Sequence, residues 1–246
     1  MKLLIDNNIL SMTSVASHAS VSLPGFSNPM VVLEVDDPNH DNKKMGEIEC
    51  LATIARLARE KKISLCSSVY LTIEAWAAPN SFPYGPGTSL FEGIAIEGIE
   101  SPVNVEPFVS GDAFALDKNL RALVRYLVAE FDTEMLERDN CLIRKQTDYQ
   151  KKNLREVDRL CEICSSLSEK HYADAFHFWT CVAADVPVFL SNDRKFRNAL
   201  FQNKNAGRSG TKIFSPSELL DELRVEKDPF PLKRGSKFDL FGRPLK

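Results

Sequence analysis

Asp6, Glu74, Asp174 and Asp193 stand where acids are costly unless something compensates them. Asp6 ends the apolar run of "KLLIDNNIL" and Asp193 ends "VPVFLSND". Glu74 lies inside "VYLTIEAWA", and Asp174 opens "YADAFHFWTCVAAD". A carboxylate in apolar surroundings is unfavourable without a partner. Several converging on one spot resist ionising unless a cation sits among them. An oxygen-rich, histidine-poor set of this kind suits Mg²⁺ or Mn²⁺. Each acid alone has a structural explanation. Asp6 can begin a turn with Asn7 and Asn8, and Glu74 can be a solvated helix residue. Asp174 can complement a helix dipole, and Asp193 can cap a helix.

The elements that would position these acids alternate. Residues 2–6 read as a short buried strand. A helix follows over 45–61, where Ile48, Leu51, Ile54, Ala55 and Ala58 recur at helical spacing. "ISLCSS" (63–68) reads as a strand, with Ser67 or Ser68 able to cap the helix "VYLTIEAWA" that Pro79 stops. Residues 79–111 are punctuated by Pro, Gly and Ser and read as a loop. Residues 113–169 carry a charged helical pattern of two or three helices. A helix starts near Tyr172, "VPVFLSND" (186–193) is a strand, and "RKFRNALF" is a helix. "TKIFSPSELLDEL" gives a last strand and a helix capped by Ser215, before an irregular tail from Arg224. Strands alternating with helices predict an α/β fold, three layers around a central, mainly parallel sheet. In such sheets ligands gather beyond the carboxyl ends of the strands. Both strand-end acids fall there.

The totals bound the rest. With 246 residues the chain fits one enlarged domain, 1–246, and its net charge of −3 confines any nucleic-acid contact to a local patch. No apolar stretch approaches membrane-spanning length, and the N-terminus lacks the pattern of a signal peptide. The scattered cysteines, 6 in all, suggest a reducing, cytoplasmic setting. Cys161 and Cys164 form a C-x-x-C without a second pair, and read as two thiols on one helix face rather than a zinc site.

The segments "KLLIDNNIL", "ISLCSSVYLTIEAWA", "YADAFHFWTCVAADVPVFLSNDRKF" and "TKIFSPSELL" resemble, in this order, the PIN-domain nucleases. That family includes the toxin ribonucleases of bacterial toxin–antitoxin pairs. The third segment carries the resemblance furthest: an Asp in a first helical turn, small residues, an apolar strand, then Ser-x-Asp-x-x-Phe with Ser191 and Phe196. The resemblance implies a PIN-like fold and hydrolysis of phosphodiester bonds with Mg²⁺ or Mn²⁺. Its metal-site and catalytic acids fall on Asp6, Glu74, Asp174 and Asp193. Glu47 and Glu49 compete with Glu74 for the second place. Asn8 and Ser191 become supporting groups that hydrogen-bond a carboxylate or a water on the metal. His177, one helical turn after Asp174, reads as a helix-surface or core histidine, with orientation of Asp174 as the alternative. The chain departs from common members in a long first connection (11–44), a loop-plus-helical insertion (79–170) and an extended tail (224–246).

RNA is the expected substrate, with RNA against DNA left open. An antitoxin-like protein partner and a homodimer are compatible with the resemblance, and no membrane is involved. Arg194, Lys195, Arg197, Lys204, Arg208 and Lys212 form an acid-free strip after Asp193 that could seat a phosphate backbone. Arg56, Arg59, Lys61 and Lys62 read as a helix C-terminal cluster. Two rivals stand beside the nuclease. One is a non-catalytic PIN-like RNA-binding or scaffold module. The other is a Mg²⁺-dependent phosphatase of the haloacid dehalogenase type, which would need an acid where the chain has Asn8.

Overall fold

The computed structural model describes residues 1–22, 29–35, 42–77, 89–106, 116–137, 141–203, 210–240 and 243–245. Five strands form one all-parallel sheet: β1 (Lys2–Ile5), β4 (Ser64–Ser68), β5 (Ile96–Ile99), β6 (Val188–Leu190) and β7 (Lys212–Phe214), in the order β5-β4-β1-β6-β7. The sheet is covered on both faces, which is why β1 from Leu3 to Ile5 and all of β6 are unbroken apolar runs rather than alternating ones. Along β1, Leu3 and Ile5 point to one layer and Leu4 to the other.

One layer holds α2 (Asn42–Arg59) and α10 (Pro216–Leu223), which bury Leu51, Ile54, Leu219 and Leu220 with Leu3, Ile5, Val188 and Leu190. The other holds α3 (Val69–Ala77), α4 (Leu116–Ala129), α7 (Asp158–Cys164), α8 (Tyr172–Ala183) and α9 (Arg194–Phe201), packed with Leu4, Cys66 and Phe189. The α/β reading and its three layers are therefore observed. The helix ends follow their local chemistry. Ser215 and Glu218 form a capping box ahead of Pro216 at the start of α10, and Arg224 ends that helix at φ 54°.

Four features depart from the expectation. The long first connection contains β2 (Ala16–Val21) and β3 (Met30–Val35), an antiparallel pair. The irregular tail supplies β8 (Lys237–Phe238), which adds to β3 and completes a second sheet in the order β2-β3-β8. Within the segment read as a loop, Ile96–Ile99 joins the main sheet beside β4; its mostly exposed side chains carry no core-facing pattern, so only backbone pairing reveals it. The 113–169 region divides further than two or three helices. It comprises α4, a 3₁₀ turn at Thr133–Glu137, α5 (Cys141–Arg144), α6 (Asp148–Arg155) and α7. The break before α6 is written in Thr147 and Gln150, which form a capping box, a start signal hidden inside a continuous charged pattern.

The insertion is thus not an appendage. Leu120, Leu123, Val124 and Leu127 of α4 share one core with Leu4 and Phe176, and β5 is a sheet strand. Gln146 fastens the region by holding both the N–H and the carbonyl of Asn104, at 2.8 and 3.1 Å. Pro79 and most of "PNSFPYGPGTSL" lie outside the described residues. No helix among the described residues is long and apolar enough to cross a membrane.

Candidate active site

Strand order reverses direction between β1 and β6: β4 and β5 build outward on one side of β1, β6 and β7 on the other. The crevice beyond the carboxyl ends at such a point is where open parallel sheets collect ligands. Asp6 follows β1 there, and Ser191, Asn192 and Asp193 follow β6.

Asp6 is buried and caps α1 (Asn7–Thr13), accepting from the Asn7 N–H at 2.7 Å. Its other oxygen, Oδ2, accepts from Asn8 Nδ2 and from Ser191 Oγ, each at 2.6 Å. The Asn8 amide is held in this orientation because its Oδ1 accepts from the Asn192 N–H at 2.9 Å. Ser191 Oγ in turn accepts from the Asp193 N–H at 3.1 Å. The ends of β1 and β6 are therefore locked by one polar network centred on a carboxylate. Burial pushes the Asp6 carboxyl above its ordinary value, against Ser191, the charge of His177 and the Asn7 amide, while Glu74 adds to the rise.

Asp193 caps α9, its Oδ1 accepting from the N–H groups of Lys195 and Phe196 at 2.8 and 2.9 Å. Glu74, on α3, is half-buried and meets His177 of α8, Oε1 to Nε2, at 3.0 Å. His177 is thus a core histidine, one of its expected readings, and not the group that orients Asp174. It is buried and bonds Glu74, while Asp174 is approached by a different histidine, His171, through Nδ1 at 3.4 Å. Burial lowers the His177 pKa, but the Glu74 hydrogen bond and the charges of Glu74, Asp6 and Asp174 outweigh it and leave it raised. His177 Nδ1 is buried without a hydrogen-bond partner. Sequence reasoning undervalued this residue because its partner lies on a helix 103 positions away.

Asp174, in the first turn of α8, carries the mark of the whole site. Burial, then the like charges of Asp6 and Asp193, push its carboxyl from 3.8 up to about 7, with Glu74 adding to the rise and His177 opposing it. Asp174 thus feels the charges of the other three acids. Among the described residues, however, no three acid, histidine or cysteine side chains already stand in a metal-holding arrangement. Asp6 has both oxygens engaged by protein donors, while Glu74 and Asp193 each have one.

The competitors of Glu74 are engaged elsewhere. Glu47 accepts from the Ser217 N–H and Oγ at the start of α10, and Glu49 pairs with Lys227 and Arg234. In the basic strip, Arg194 and Lys195 are exposed, but Arg197 is buried in an ion pair with Glu218 and presents no charge to solvent. Lys212 pairs with Glu222, and Lys204 and Arg208 lie outside the described residues. Arg56 and Arg59 serve the fold, binding Asp228 and Glu60, and the carbonyls of Leu90 and Glu92. Burial pushes the Cys164 thiol up to about 12, which disfavours the thiolate a C-x-x-C metal site would need.

No family model matches the chain, and neither a curated protein nor a solved structure matches it.

Proposed function

We propose that the chain is a metal-dependent nuclease of the PIN-domain type, hydrolysing phosphodiester bonds in RNA. One observation carries the reading: Asp6 and Asp193 follow neighbouring strands at the β1/β6 crevice, and the Asp174 carboxyl, raised first by burial, is raised further by the like charges of both. The donors are oxygens and their charges repel, which fits a hard divalent cation such as Mg²⁺ or Mn²⁺. Asp6, Asp174 and Asp193 would hold it, with Glu74 as a further ligand or a base. Such an ion supplies charge neutralisation at a phosphate and an activated water near neutral pH.

The chain's own groups have separable tasks. Asn8 and Ser191 fix Asp6 Oδ2, and the Asn7 amide fixes Oδ1. His177 Nε2 fixes Glu74 Oε1, leaving Oε2 to take a proton. Asp174, one of whose oxygens lies 3.4 Å from His171 Nδ1, would serve as a ligand or position a water on the ion.

A second reading, a non-catalytic RNA-binding module, is favoured by one specific fact: three of the four acids already bond protein groups through at least one oxygen. The two separate in a single set of measurements. Mg²⁺ or Mn²⁺ should raise the melting temperature of the wild type and not of Asp6→Asn or Asp174→Asn. Cleavage of single-stranded RNA in Mn²⁺ should be lost in the same variants and in Asp193→Asn, which keeps the cap of α9. Absence of any metal-dependent shift, or equal cleavage by wild type and variants, rules out the nuclease.

A further inference from the structure

Arg197 is committed to Glu218 and Lys212 to Glu222, while a second group of cations stands on α4. On α4, Lys118, Arg121 and Arg125 recur at helical spacing and line a groove of ≈ 500 Å³ whose far wall is Glu169 and Lys170. Those two belong to the 3₁₀ turn Glu169–His171, which leads directly into α8. Two of the groove's carboxylate contacts are internal: Arg121 pairs with Asp117, and Arg125 lies 3.8 Å from Glu169. Lys118 and Lys170 carry no ion pair among the described residues, and neither do Arg194 and Lys195.

The groove adjoins the acids. Lys170 neighbours His171, whose Nδ1 is 3.4 Å from Asp174 Oδ2. Burial lowers the His171 pKa, and the charges of Lys170 and Lys195 lower it further while Asp193 opposes them. Lys170, next to His171 in the chain, lines the groove, and Lys195 stands in the first turn of α9, which Asp193 caps. Exposed cations thus sit on α4, on the 3₁₀ turn that leads into α8 and at the start of α9.

We propose that the α4 groove, with Lys170 and Lys195, is the seat of a single-stranded RNA backbone that delivers a phosphodiester to the acids. Placement and charge favour this occupant. A chain with net charge −3 has little general attraction for polyanions, yet concentrates exposed cations beside an acidic crevice. The acids are recessed, Asp6 being buried and Asp174 half-buried, so a flexible single strand can be drawn to them where a rigid duplex cannot. The assignment deepens the nuclease reading and rests on it for the identity of the polymer. The surface was hidden in the sequence because Lys118 and Lys170 lie far apart along the chain on what read as ordinary solvated helices.

Anisotropy of a short fluorescein-labelled single-stranded RNA, measured in EDTA over a range of salt, tests the groove without metal or turnover. Lys118→Gln/Arg125→Gln/Lys170→Gln should bind about tenfold more weakly, and the slope of log K against log salt should fall by about 2, from roughly 0.7 per neutralised phosphate. A control with the same charge loss elsewhere, Lys62→Gln/Lys233→Gln/Lys237→Gln, should keep the wild-type slope. Equal losses in the two variants, or unchanged binding in the first, overturn the proposal. So does polyglutamate competing as well as unlabelled RNA, which would mark the groove as a seat for an acidic protein. Cleavage in Mn²⁺ is scored separately. RNA binding through the groove without cleavage removes the nuclease and keeps the groove; cleavage with unchanged binding in the groove variant does the reverse.

Discussion

His177 Nε2 and Glu74 Oε1 lie 3.0 Å apart, joining α8 to α3 across the site. The histidine is buried, and the carboxylate is only 18% exposed, so the bond is shielded from water on both sides. A double-mutant cycle on Glu74→Gln and His177→Leu should give a coupling of about 1–3 kcal/mol, read from urea unfolding. Additive effects of the two substitutions would mean that the contact holds nothing in place.

Ser191 Oγ donates to Asp6 Oδ2 and accepts the Asp193 N–H, so one hydroxyl ties both strand-end acids. Ser191→Ala should cost about 1–3 kcal/mol of stability, since a buried carboxylate loses a donor and an N–H loses its acceptor. Ser191→Thr, which keeps the hydroxyl, should recover part of that loss. Chemical denaturation decides, and an Ala variant as stable as wild type would place the hydroxyl outside the network.

Stability should fall as pH rises. Burial and the neighbouring acids leave the Asp174 carboxyl at about 7 in the folded chain, against 3.8 ordinarily, so the folded state binds more protons between these values. The contribution is present at low pH and lost through that window. Asp6, also raised by burial, acts in the same direction. His177, raised on balance above 6.5, stabilises while protonated and loses that contribution as pH climbs through its folded value. Because about a third of the Asp174 side chain is exposed, solvent screening leaves its share at roughly 1–2 kcal/mol. Metal-free urea midpoints should therefore be higher at about pH 5 than at about pH 8, and Asp174→Asn should flatten the difference. A midpoint that rises with pH contradicts this.

Arg197 should behave as a structural residue. Its side chain is 9% exposed and pairs with Glu218, which also accepts the Ser215 N–H in the capping box of α10. Arg197→Gln should lose about 1–3 kcal/mol, less than for a fully buried pair because Glu218 is partly solvated. RNA affinity of the folded variant should stay within about twofold of wild type, a change of less than half a kcal/mol. Weakened RNA binding at unchanged stability would return Arg197 to the nucleic-acid surface.

The parts of the site that were legible in sequence are those written locally. Asp6 and Asp193 each end an apolar run and each cap the helix that follows, so a few adjacent residues announce them. Ser191 and Asn8 were recognisable for the same reason, as polar residues flanking those acids. Glu74 was recognisable but not unique, because Glu47 and Glu49 offered the same chemistry. Their release from candidacy came from Ser217, Lys227 and Arg234, all far along the chain.

By itself the sequence determined the alternation of buried strands with amphipathic helices, and hence a parallel sheet with acids at its carboxyl edge. Apolar runs, caps and breakers are short-range signals that act within a turn or two. Tertiary structure alone decided the rest: the edge strand β5, the second sheet closed by β8, the pairing of His177 with Glu74, and the loss of Arg197 from the charged surface. Each depends on which distant backbone or side chain lies opposite, and that is set by how the layers pack around the sheet.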